Sequence, residues 1–180
     1  YRVLKCELYM TGVFRRITAP GNISFTRNDS TTYVSANITR VDAPTSVVVE
    51  RHSYEPHLIA HGEGAACGVI PMRWTVRFKH LNRVGGTLSL DLGSISLVEY
   101  PNMIKLYHRP VEGVGGFTQI NATYSAATKQ LTTAELLSGE YMLAYKECFP
   151  PLLVTPLDGV VEVDTVQTLT WTAAVGSGEY

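Results

Sequence analysis

Residues 71–81 alternate with period two more strictly than any other stretch of the chain. Met72, Trp74, Val76 and Phe78 interleave with Arg73, Thr75, Arg77 and Lys79. Successive side chains of an extended backbone point to opposite faces. This segment therefore reads as an antiparallel strand with one apolar face and one cationic face. Leu88, Leu90 and Leu92 alternate in the same way with Thr87, Ser89 and Asp91, and Gly85-Gly86 before them predicts a turn. At the start of the chain Leu4, Cys6, Leu8 and Met10 alternate with Lys5, Glu7 and Tyr9. Further strands are expected over 33–38, 46–50, 103–108, 117–124 and 140–146, runs rich in β-branched and aromatic residues. Helix is confined to 132–137, where Thr132 and Glu135 have capping-box spacing, and to one or two turns at most. Short strands separated by Gly, Pro and Asn predict an all-β, antiparallel β-sandwich.

Adjacent prolines, Pro150 and Pro151, break the ladder pattern. They divide the chain into a sandwich domain, 1–149, and a second β segment, 150–180. Strands are expected in the second at 160–163 and 167–172, with Trp171 a core residue. A tail of about thirty residues cannot bury a core of its own. Ser138-Gly139-Glu140-Tyr141 recurs as Ser177-Gly178-Glu179-Tyr180, which suggests a second module cut short after its start, or a strand-exchange segment. No basic start followed by an apolar block opens the chain, so it reads as mature or cut from something longer.

Pro156-Leu157-Asp158-Gly159 followed by Leu169-Thr170-Trp171-Thr172 resembles the opening of immunoglobulin-like modules in large secreted wall, surface and fibril-forming glycoproteins. Residues 87–92 (TLSLDL) and 139–145 (GEYMLAY) are similar to sandwich modules strung along such chains. The resemblance covers about a third of the sequence and implies an immunoglobulin-like sandwich. The Cys–Trp–Cys spacing of true immunoglobulin domains is missing, since Trp74 follows Cys67 too closely. No functional residue carries over from it.

Composition narrows the setting. Hydrophobic residues are 45% of the chain, enough for a sizeable core. Charged residues are only 17% and the net charge is −1, against a nucleic-acid partner, which needs a basic surface. No apolar run is long enough for a helical membrane span. Four of the six asparagines, Asn22, Asn28, Asn37 and Asn121, stand in N-glycosylation sequons. Chance would place about one there, so the sequence predicts a secreted glycoprotein, extracellular or on the cell surface, bearing N-linked glycans. Cys6, Cys67 and Cys148 permit one disulfide and leave one thiol over, and the sequence does not decide the pair. A Cys6–Cys148 bond would tie the first strand of the main body to its last.

Three groups invite a functional reading. His52, His57 and His61, with Glu50, Glu55 and Glu63, have ligand chemistry. Their segment carries Pro56 and two glycines, and on a strand His57 and His61 would lie about 13 Å apart. A solvated loop is the expectation, with no metal and no cofactor. Arg73, Arg77 and Lys79, joined by Arg51 and Arg83, would offer a cationic face to a sulfated or acidic glycan, or simply a solvated sheet face. Tyr100, Tyr107 and Tyr124 read as rim residues of the sandwich. No nucleophile elbow or phosphate-binding loop is present, and Gly113-Val114-Gly115-Gly116 reads as a turn between strands.

The reading that follows is a non-enzymatic structural subunit of an extracellular glycosylated fibril, appendage or surface layer. It assembles by sandwich packing and by strand addition, with Leu4, Cys6, Leu8 and Met10 filling pockets of an acceptor, unless that strand pairs within its own domain. Its partners are copies of itself or other extracellular proteins. The alternative is an extracellular carbohydrate-binding or adhesion module whose partner is a polysaccharide.

Overall fold

A computed structural model describes residues 12–27, 32–56, 68–95, 101–145, 153–155 and 170–171. These residues are all-β, apart from two single 3₁₀ turns at Leu81–Arg83 and Pro101–Met103. The strands are β1 Val13–Ile17, β2 Gly21–Thr26, β3 Thr32–Val41, β4 Thr45–His52, β5 Gly68–Phe78 and β6 Val84–Asp91. They continue with β7 Ile104–Arg109, β8 Thr118–Ile120, β9 Thr123–Ser125, β10 Gln130–Thr133, β11 Gly139–Tyr145, β12 Leu153–Thr155 and β13 Thr170–Trp171.

Two antiparallel sheets form the body. One has the order β1-β4-β5-β11-β7-β8 and the other β2-β3-β6-β10-β9. Their inner faces share one apolar core, a sandwich-like arrangement. The alternation in sequence is the cause. On β5, Ile70, Met72, Trp74 and Val76 are buried, and opposite them β3 contributes Val34, Ala36 and Ile38 and β6 contributes Leu88 and Leu90. Trp74 is fully buried at the middle of the core. Among the described residues β12 and β13 pair only with each other, with Leu153 opposite Trp171.

Several expectations are corrected. Residues 132–137 are not helical. Thr132 and Thr133 end β10, where Thr132 lies opposite both Ser89 and Thr123, and the chain to Ser138 is irregular. The Thr132 hydroxyl bonds Ser89 Oγ at 2.7 Å instead of capping a helix, and two flanking strands outweigh a six-residue propensity. Gly85 and Gly86 do not turn the chain but lie inside β6, at an irregularity in its pairing with β3. A Cβ on Gly86 would collide with the Asn37 backbone carbonyl, so the glycine permits close approach of two strands. The turn falls instead at Leu81–Arg83. Residues 117–124 are not one strand: the chain bends at Asn121-Ala122, leaving β8 in one sheet and β9 in the other. β1, β2 and β12 were not expected, because β1 buries only its ends, Val13 and Ile17. The proposed donor strand (Leu4, Cys6, Leu8, Met10), all three cysteines, Asn28, Tyr100 and the strand at 160–163 lie outside the described residues.

Candidate functional site

The outer face of the six-stranded sheet carries a continuous chain of alternating charges. Register builds it. Glu50 on β4 lies opposite Thr75 on β5, Thr75 opposite Glu140 on β11, and Glu140 opposite Arg109 on β7. Arg73 and Arg77 flank Thr75 on the same face of β5. The loop after β7 folds back so that Glu112 and the Gly113 amide reach the same row.

At its deep end Glu140 and Arg109 are both fully buried. Arg109 donates from Nε at 2.7 Å and from Nη2 at 2.6 Å to Glu140 Oε2, which also accepts from the Gly113 amide at 3.0 Å. Glu140 Oε1 accepts from Arg73 Nη1 at 2.8 Å. Arg73 Nη1 also reaches Glu112 at 3.0 Å, Arg77 donates to Glu112 at 2.7 Å, and Arg77 makes two further bonds, at 3.1 and 3.2 Å, to Glu50. Thr75 Oγ1 donates to Glu50 at 3.1 Å. Three carboxylates thus meet three guanidiniums. Aromatic faces complete the cradle, with Arg109 lying 4.4 Å from the Phe117 ring centroid and Arg73 4.9 Å from that of Tyr54.

Burial alone would push the Glu140 carboxyl up, but hydrogen bonds from Arg73, the Gly113 amide and Arg109 hold it below the ordinary carboxylate range. Glu50 and Glu112 behave alike: burial opposes, and Arg77 outweighs it in both. All three are therefore ionised near neutrality, and none is a proton donor there. Hydrogen bonds to Glu112 and Glu50 raise Arg77, while bonds to Glu140 and Tyr54 raise Arg73 against its desolvation.

This arrangement corrects the expected cationic face. Arg73 and Arg77 are neutralised by carboxylates 27 to 67 positions away in sequence. Arg51 leaves that face altogether, stacking 4.5 Å from the Tyr33 centroid and donating to Ser94 Oγ at 2.8 Å. Lys79 and Arg83 lie beyond the end of β5, away from the charge row. Sequence reasoning missed Glu112, Glu140 and Arg109 as a group, and the only signal for them was opposite charge on strands not yet paired. His52 is not in a loop but ends β4, its Nδ1 3.2 Å from Tyr54 Oη and its Nε2 3.4 Å from Glu50 Oε2. His57, His61 and Glu63 lie outside the described residues. Among the described residues no three His, Cys, Asp or Glu cluster as metal ligands, and no helix is long and apolar enough to cross a membrane. Tyr107 is not a rim residue: it is buried beside Phe117 and Met142, and burial raises its phenol. Tyr124 packs half-buried against the main core.

The outer face of the second sheet is of opposite character. Ser24, Ser35, Ser89, Thr132 and Thr123 stand opposite one another across all five strands. One register step away, Asn22 lies directly opposite Asn37, and both are exposed. Asn121 is exposed at the bend between β8 and β9.

The chain matches no family model, no curated protein and no solved structure. Fold and site together define a class only: a two-sheet, antiparallel all-β protein with one outer face braced by ion pairs across β4, β5, β11 and β7 and the other lined mostly by hydroxyls and amides.

Proposed function

We propose that this protein is a non-enzymatic structural subunit of an extracellular, glycosylated fibril, appendage or surface layer, built on an immunoglobulin-like sandwich over 1–149. The observation that carries the reading is the ion-pair brace. It ties β4, β5, β11 and β7 side by side with every charge committed internally. A buried ion pair of this kind adds little net stability but makes its loss costly, which favours one fixed strand register. Fixed register is what a load-bearing or lattice-forming unit needs. The exposed sequon asparagines Asn22, Asn37 and Asn121 support a secreted, glycan-bearing setting. The isolated pairing of β12 with β13 supports a second module beginning after residue 149. Assembly proceeds by packing of faces and by strand addition at an open edge, β1 being one such edge among the described residues.

Negative-stain electron microscopy and sedimentation of the full chain, secreted from a eukaryotic host, test this at low micromolar concentration. Regular filaments or sheets are expected. A monodisperse monomer at every concentration would sink the building-block reading. A carbohydrate-binding role draws its support from a different place in the fold, the cleft beside Phe14.

A further inference from the structure

A cleft of about 310 Å³ opens where the edge strand β1 meets the start of β4 and the end of β5. Phe14, Arg16, Lys79, His80 and Arg83 line it, over a floor that includes Ser46. The floor is built. Lys79 N–H donates to the Ser46 carbonyl at 2.9 Å, His80 N–H to Thr45 Oγ1 at 3.1 Å, and Arg83 N–H to the His80 carbonyl at 3.2 Å. Phe14 is 58% exposed, among the largest apolar exposures in the described residues. Register places Phe14 opposite Val48 and Arg16 opposite Ser46, so ring and guanidinium share the outer face of β1.

No carboxylate lines this cleft. Arg16, Lys79 and Arg83 are exposed, and among the described residues none of them has an ion pair, in contrast to Arg73, Arg77 and Arg109. Asp42 bonds the Arg83 carbonyl through its backbone N–H, and its carboxylate is held by Arg40 at 3.3 Å. Three of the described cations that have no ion pair thus gather around one exposed aromatic ring.

We propose that this cleft binds an acidic saccharide, one sugar residue bearing a sulfate ester or a carboxylate, on an extracellular polysaccharide. The Phe14 ring stacks on the apolar C–H face of the sugar. Arg16 and Arg83 present planar donor forks to the anionic oxygens, and Lys79 adds a point charge. The volume is at the lower end of the ~300–1,000 Å³ of small-ligand sites, matching a single sugar unit rather than a long groove. The cleft shares β1 with one edge open to strand addition, but saccharide binding is read by calorimetry and assembly by microscopy, so the two readings fail separately.

Calorimetry of the full chain against a heparin hexasaccharide, a polygalacturonate oligomer and neutral dextran tests the site. Binding to one or both anionic saccharides, and none to dextran, is expected. The two anionic probes separate sulfate from carboxylate recognition. Arg16→Ala combined with Arg83→Ala should weaken binding about tenfold or more, and Phe14→Ala about threefold, on the scale of exposed charge and stacking contacts. A charge-matched control, Lys105→Gln with Lys129→Gln, should leave it unchanged. Silence with both anionic saccharides would overturn the site, as would full affinity in the Arg16/Arg83 variant. Equal affinity for a single-stranded oligonucleotide would overturn its assignment to sugar.

Discussion

Glu140 has no exposed surface, yet it is ionised, because four donors converge on its two oxygens. Removing its charge takes from the equally buried Arg109 the carboxylate that meets it at 2.6 and 2.7 Å. Glu140→Gln should therefore cost about 3–5 kcal/mol, read by urea unfolding. Replacing Glu140 and Arg109 together by Leu and Met should cost far less than either single change, since no buried charge is then left alone. His108 supplies a second residue-scale test. Its ring is buried, Nε2 donates to the Ser138 carbonyl at 3.0 Å, and burial lowers it from the ordinary 6.5 despite that bond. The unfolded chain then binds a proton that the folded chain refuses, so stability should begin to fall as pH drops below about 6.5. The three depressed carboxylates act lower down: their contribution is complete above about 4.5 and is lost as pH falls through their folded values. Thermal unfolding across pH 3–8 should show both falls. His108→Gln should remove the upper one and leave the lower.

At the scale of single elements, β6 shows how one glycine fixes a strand pair. Gly86→Ala drives a methyl into the Asn37 carbonyl, so β3 and β6 must separate. Denaturant unfolding should register a loss of about 1–3 kcal/mol. The elements most legible in sequence were those whose two faces differ sharply. Trp74 against Arg73 and Leu88 against Ser89 announced β5 and β6, and the all-β class followed from them. β1 was not legible, because Phe14-Arg15-Arg16 between its buried ends carries no alternation. The charge brace was half legible. Arg73, Thr75 and Arg77 on one face could be read directly, but their acids come from β4, β11 and the loop after β7. Only the register Glu50–Thr75–Glu140–Arg109 brings them together, and register between distant strands leaves no local mark. The cleft beside Phe14 was illegible for the same reason: Arg16 and Arg83 are neighbours only after β1 has docked on β4.

At the scale of the whole molecule, the strand order holds a consequence for biosynthesis. β11 is the last-made strand of the six-stranded sheet, yet it lies between β5 and β7 near its middle. A ribosome delivers the chain from the N-terminus. Until residue 139 has emerged, β5 and β7 face a gap with unpaired backbone on both sides, and Arg109 and Arg73 wait for Glu140. Nascent or truncated chains ending before β11 are therefore sticky at two edges, open to the wrong strand from a neighbour. Closure of the sheet is a late, nonlocal event, of the kind that makes all-β domains fold in ~milliseconds to seconds. The producing cell has to shield that slot for as long as translation takes to fill it.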